Sequence, residues 1–157
     1  MEQPPKYARP EIERRWLVPA TLAEKLVAGL PARLIEDRYI IGTRLRLRKV
    51  SGQITQFKLG KKYESSVFGL EQVVSVYLGE EEHKVLAPLP SHVASKRRYS
   101  VAGGSIDQYV TPRNGFFIFE VEFSTLAEAQ AFEPPTFVGR EVTGSPEFTG
   151  FSIASKA

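Results

Sequence analysis

Charged residues recur two positions apart inside runs that read as β-strands. Alternate side chains of a strand share a face, so Glu11, Glu13 and Arg15 lie together, opposite Ile12, Arg14 and Trp16. By the same alternation Arg44, Arg46 and Arg48 oppose Leu45 and Leu47, and Lys58 joins Gln56 against Phe57 and Leu59. Lys96 pairs with Arg98, Asp107 with Tyr109, and Glu120 with Glu122 against Phe119, Val121 and Phe123. The acidic pairs fall on the first and last of these segments and the basic rows on the middle ones, whereas a face tuned only for solubility intersperses the signs. Like charges two residues apart sit about 6.5 Å from each other and repel by roughly 2–3 kcal/mol at an effective dielectric near 20. A group of opposite charge is expected on that face.

Two arrangements satisfy this pattern. In an ordinary sandwich the charged faces meet water. In a barrel closed with those faces inward, Glu11, Glu13, Asp107, Glu120 and Glu122 would line a lumen together with Arg15, Arg44, Arg46, Arg48, Lys58, Lys96 and Arg98. Clustered carboxylate oxygens are the hard ligands Mg²⁺ or Mn²⁺ prefers, and such an ion is often shared with substrate phosphates. Guanidinium forks and ammonium groups bind phosphate oxygens. The enclosed arrangement therefore reads as a site for a polyanion bridged to a divalent metal.

The elements that must position these residues are mostly strands. Glu11 to Val18 is the first, and Thr21 with Glu24 makes a capping-box pattern opening a helix over about 21 to 29. Leu34 to Ile41, Thr43 to Lys49, Ile54 to Leu59 and Gln72 to Leu78 follow as strands, with a loop expected over Gly60 to Gly69. A short helix is expected across Glu80 to Leu86. Lys96 to Val101, Ser105 to Val110 and Phe116 to Phe123 are separated by the turn dipeptides Gly103-Gly104 and Asn114-Gly115. Thr125 with Glu128 opens a further helix that Pro134-Pro135 must stop. A helical turn near Val138 to Thr143 and then an extended tail are expected. The fold class is α+β, mainly β: an eight-stranded antiparallel β-barrel, or tunnel, with a few short flanking helices.

At 157 residues one domain is expected, running from 11 to the end behind a mobile lead-in over residues 1 to 10, and its core needs no disulfide or metal staple. The net charge of +3 is too mild to name a partner, and the absence of Cys excludes thiolate metal sites and thiol nucleophiles. No apolar run reaches about 18 residues, so neither a membrane span nor a signal peptide is expected, and the expected location is the cytoplasm.

The motifs together resemble a known family. Glu11-Ile12-Glu13-Arg14-Arg15-Trp16-Leu17-Val18 is similar to the E-x-E-x-K opening of CYTH domains, the triphosphate tunnel metalloenzymes. Leu45-Arg46-Leu47-Arg48, Phe57-Lys58, Lys96-Arg97-Arg98-Tyr99, Asp107 and Phe119-Glu120-Val121-Glu122-Phe123 resemble that family's later segments in order and spacing. The resemblance implies an eight-stranded tunnel that hydrolyses or cyclises triphosphates with Mg²⁺ or Mn²⁺, with inorganic tripolyphosphate the first expectation. Thiamine triphosphatase or adenylate cyclase activity is the alternative on the same fold. It implies that Arg15, Arg46, Arg48, Lys58, Lys96 and Arg98 hold the triphosphate, while Glu11, Glu13, Asp107, Glu120 and Glu122 hold metal and position the attacking water. Departures from the family pattern are Arg15 in place of lysine, a fifth strand with Glu71 followed by neutral residues, and Phe148 and Gly150 near the end.

Two rivals remain at this stage: a tunnel that binds polyphosphate or a nucleotide with little turnover, and a small barrel that binds RNA or single-stranded DNA. The carboxylate pairs weigh against nucleic acid, because they repel a phosphate backbone. The expected partner is a small polyanion, with no nucleic acid and no membrane, and the chain is expected as a monomer or homodimer.

Overall fold

The computed structural model describes residues 2–156. Eight strands, β1 (Arg9–Val18), β2 (Arg33–Ile40), β3 (Leu45–Ser51), β4 (Gln56–Tyr63), β5 (Leu70–Leu78), β6 (Ser91–Val101), β7 (Gly104–Thr111) and β8 (Phe117–Phe123), pair antiparallel and close into a barrel in the order β1-β5-β4-β3-β2-β6-β7-β8. Four short helices flank it: α1 (Ala20–Val27), α2 (Glu80–Leu86), α3 (Leu126–Ala131) and α4 (Gly150–Ser155), the last preceded by a 3₁₀ turn over Pro146–Phe148. This is the mainly β tunnel that the strand pattern predicts. Closure sets β1 beside β8 and places β2 and β3 on the far side of the ring. The two acidic strands thus form one wall and the arginine strand stands across from them. No described helix is long and apolar enough to cross a membrane.

The larger of two hydrophobic clusters lies outside the ring. Trp16 and Val18 of β1 and Phe117, Phe119 and Val121 of β8 pack with Ala23 and Val27 of α1. Phe132, just past α3, meets the Trp16 ring at 5.7 Å, and Phe137 stands edge-on to Phe119 at 5.1 Å. Each fully buried apolar side chain of this kind contributes about 1.5–3 kcal/mol, so the barrel is held from its outer face while its inner face carries charge. Gly104 opens β7 against this seam. A Cβ there would collide with the backbone carbonyl of Glu120 and the Val121 side chain.

Arg14 faces outward among these hydrocarbons and acts as a clasp. Its guanidinium binds Glu141 twice, at 3.0 and 2.7 Å, and donates to the carbonyls of Ala129 and Phe132 at 2.8 and 3.0 Å. The strand edge continues the attachment, with Leu17 N donating to Arg140 O and Val142 N to Arg15 O.

Several local features depart from the sequence reading. The Thr21–Glu24 capping box does not form. Instead α1 starts at Ala20 behind Pro19, whose carbonyl takes the first helical hydrogen bond, and the helix ends at Val27. Strand β4 runs through Gly60 to Tyr63 where a loop was expected. Gly60 lies opposite Arg46 and Ser75 as a regularly paired residue in the middle of the sheet. Thr125 caps α3 as expected, accepting from Glu128 N at 3.1 Å.

The C-terminal stretch differs most. Glu141 bridges to Trp16 as a short strand contact in place of a helical turn, and the expected extended tail is the 3₁₀ turn and α4. The cause is apolar burial. Phe148 and Ile153 pack with Val142 against Tyr109 and Ile118. Ile118 alternates with Glu120 on the inner face of β8, so this cluster plugs one end of the lumen.

Candidate functional site

Strand alternation aims Arg46 and Arg48 of β3, Lys58 of β4 and Lys96 and Arg98 of β6 into the lumen, and it adds two carboxylates that order them. Asp37 of β2 accepts from Arg48 Nε at 2.6 Å and Nη2 at 2.8 Å, with Arg46 Nε at 3.9 Å. Burial alone would raise the Asp37 carboxyl, but the Arg48 guanidinium outweighs it and holds the group at about 2. Asp107 of β7 accepts from Arg98 at 2.7 Å through both oxygens and pairs with Lys96 Nζ at 2.8 Å. Against the cost of its burial, those two cations keep its pKa far below the usual carboxylate range. Fixed forks of this kind hold guanidinium groups in one orientation before any anion arrives.

Lys58 is different. Among the described residues no carboxylate lies within ion-pair distance of it, and burial together with Arg46 and Arg48 pushes its pKa down. Arg46, Arg48 and Lys58 are three cations served here by one carboxylate, which leaves an excess of positive charge on this wall. Arg15 of β1 donates to the Phe148 carbonyl at 2.7 Å and approaches Glu120 at 3.4 Å, while its Nε is buried without a hydrogen bond.

The opposite wall is acidic. In the β1–β8 register Glu13 faces Glu122 and Arg15 faces Glu120. Carboxylate oxygens of Glu13, Glu120 and Glu122 all lie within 4.8 Å of one another. Burial, reinforced by the neighbouring Glu120 charge, pushes the Glu13 carboxyl up to about 8. Arg15 at 3.4 Å and Arg98 at 3.6 Å partly offset the Glu120 charge, and three converging oxygen donors of this kind fit a hard divalent cation, which Mg²⁺ or Mn²⁺ would supply.

The remaining expected residues lie around these two walls. Glu11 sits apart from the trio, engaged by Lys62 Nζ at 2.6 Å, and Asp107 is held by Lys96 and Arg98. Arg44 is not in the lumen row. It lies on the turn before β3, exposed and 3.4 Å from Glu64. Thr43 shapes that turn by donating to Ile40 O and accepting from Leu45 N, so strand alternation begins only after Arg44. The sequence reading missed Asp37 and Lys62. Asp37 lies on the face of β2 that carries Ile35 and Tyr39, and Lys62 lies four residues beyond Lys58 on the same face of a strand that was cut short at Gly60. Lys62 also lies 4.0 Å from Glu13 and 3.9 Å from Glu71. On the inner face of β5, Glu71 is followed by Val73, Ser75 and Tyr77, so the depletion read in the fifth strand is present in the fold.

Fold and lumen define a class: closed antiparallel tunnels whose interior sets a cationic wall against a carboxylate cluster. Two crystal structures of the protein NE1496, described in one of them as an inorganic triphosphatase, are similar to this chain. The TM-score is 0.56 at 24% identity, covering 92% of this chain and 97% or 93% of that one. A Bacillus halodurans structure assigned provisionally as an adenylate cyclase has a TM-score of 0.52 at 19% identity, covering 76% of this chain and 83% of its own. No protein-family model and no curated protein matches the chain. The likenesses show the fold, a closed eight-stranded antiparallel barrel.

Proposed function

We propose that the tunnel hydrolyses a triphosphate, inorganic tripolyphosphate first, with Mg²⁺ or Mn²⁺, adding water across a P–O–P bond to leave diphosphate and orthophosphate. The observation that carries this is the division of the lumen: Arg46, Arg48 and Lys58 stand on one wall and the Glu13–Glu120–Glu122 cluster on the other. Arg46, Arg48, Lys58, Lys96 and Arg98 bind the phosphate oxygens, and Arg15 sits at the junction of the two walls. Glu13, Glu120 and Glu122 hold the cation, with Glu11 and Asp107 fixing the surrounding lysines and arginines. The bound cation supplies charge neutralisation and a polarised water. Asp37 and Asp107 keep the guanidinium groups aimed, so the phosphate chain is aligned as phosphoryl transfer requires. The likeness in fold to an inorganic triphosphatase supports this reading.

The thin charge on the inner face of β5 favours a second reading, a tunnel that binds the polyanion without turning it over. Phosphate release from tripolyphosphate with Mg²⁺ and with Mn²⁺, wild type beside Glu120→Gln, separates the two. Hydrolysis predicts metal-dependent release that the variant loses. A protein that tripolyphosphate and Mn²⁺ stabilise, by about 2.7 kcal/mol at 100 times Kd, but that releases no phosphate is the binding module.

A further inference from the structure

Like charges oppose each other at two steps of the acidic wall. Glu13 lies across from Glu122 in the β1–β8 register, and Glu11 lies across from Glu71 in the β1–β5 register. Carboxylates in directly opposed positions weaken a sheet unless a cation stands between them. The two pairs are served differently. Glu13 and Glu122 join Glu120 in a cluster of converging oxygens. Glu11 and Glu71 are bridged from within the chain: Lys62 Nζ donates to Glu11 at 2.6 Å and stands 3.9 Å from Glu71 and 4.0 Å from Glu13.

Lys62 comes from the inner face of β4, four residues beyond Lys58. The two lysines have opposite surroundings. Lys58 stands beside Arg46 and Arg48 and is left to an incoming anion, whereas Lys62 is ringed by three carboxylates. An ammonium is a compact point charge with three donors, which three surrounding carboxylates match. A divalent ion entering that space would meet a tethered charge of its own sign. We infer that Lys62 is a built-in counter-ion that stands in for a second metal ion and limits the tunnel to one divalent cation, held by Glu13, Glu120 and Glu122. This rests on the reading of that trio as the cation site and goes beyond it by fixing how many ions the acidic wall takes. It also gives Glu71, the one acid left on the inner face of β5, a place in the wall: with Glu11 it holds the ammonium.

The test counts Mn²⁺ on the full chain by electron paramagnetic resonance without tripolyphosphate, for wild type, Lys62→Met, Lys62→Arg and Glu122→Gln, with phosphate release from tripolyphosphate measured alongside. Wild type is expected to take up one Mn²⁺ per chain, and Glu122→Gln to bind it at least about tenfold more weakly. Lys62→Met removes the charge at similar length and should admit a second Mn²⁺, close enough to the first to broaden its spectrum by spin coupling. Lys62→Arg keeps the charge and should stay at one. Lys62→Gln, which still donates to Glu11, repeats the count if Lys62→Met does not fold. A second ion on wild type, or no second ion on a folded Lys62→Met or Lys62→Gln, overturns the inference and leaves a metal-dependent triphosphatase standing. The expected counts with no phosphate released uphold Lys62 as the counter-ion and remove the hydrolytic reading. No Mn²⁺ on wild type overturns both.

Discussion

Glu13 and Glu122 face each other directly across the β1–β8 ladder, two carboxylates in the position where a sheet ordinarily pairs opposite charges. With Glu120 they form the oxygen cluster of the acidic wall. An arrangement that costs stability when empty and gains it on binding a cation marks a site kept for function. Glu13→Gln keeps the shape and removes a carboxyl that burial and Glu120 hold largely protonated until a cation binds. The metal-free variant is expected to melt at or above wild type, to lose the stabilisation that Mn²⁺ gives wild type, and to release phosphate about 100-fold more slowly. Thermal melting with and without Mn²⁺, beside a phosphate assay, checks all three, and a metal-free variant that melts well below wild type contradicts the reading.

Asp37 and Arg48 form the cationic wall's best-ordered pair, and their link has a pH signature. The folded-state value of Asp37, about 2, lies below its ordinary 3.8. Its contribution, about 2 kcal/mol, is therefore present above pH 4 and lost as pH falls toward 2. Asp37→Asn leaves Arg48 buried and unpaired and is expected to cost about 3–5 kcal/mol at neutral pH. Urea unfolding between pH 2 and 7 should show a shallower acid limb in the variant.

Arg44 and Arg46 are two residues apart yet occupy different places, one paired with Glu64 at the surface and one in the lumen beside Asp37. Arg46→Ala removes charge-assisted hydrogen bonds worth about 1.5–3 kcal/mol and is expected to raise the KM for tripolyphosphate about 10- to 100-fold. Arg44→Ala should leave it within about twofold. Equal effects would mean that the lumen row extends to the turn.

Gly150 starts α4 against the Tyr39 hydroxyl, and a Cβ at this position would overlap it. Gly150→Ala must shift either Tyr39 or the plug formed by Phe148 and Ile153, with an expected loss of about 1–3 kcal/mol. Hydrogen exchange should report faster opening at Ile153 and Lys156, the amides that α4 protects. Unchanged exchange there would show that the plug is not seated on Tyr39.

The two-residue period of the strands made much of the lumen legible in one dimension. A side chain's face follows from its parity, so Arg46 with Arg48, Lys96 with Arg98 and Glu120 with Glu122 could be set on one side before any fold was known. Arg44 broke the rule because parity holds only inside a strand and Thr43 makes a turn there. Lys62 was lost because Gly60, read as a loop signal, is a mid-sheet glycine paired between Arg46 and Ser75. Asp37 escaped because a single acid between Ile35 and Tyr39 has no charged neighbour on its face to draw notice.

What the amino-acid order determined by itself was this periodicity: charge on one face of the strands, bulk on the other. Which charges meet was decided only by closure of the ring. Closure brings Glu13 to Glu122 from 109 positions away along the chain and hands Glu11 to Lys62, whereas Asp107 meets Lys96 and Arg98 across the local β6–β7 hairpin. Those partnerships depend on register and strand order, long-range quantities set by the sum of many packing contacts, and local residue preference carries no record of them.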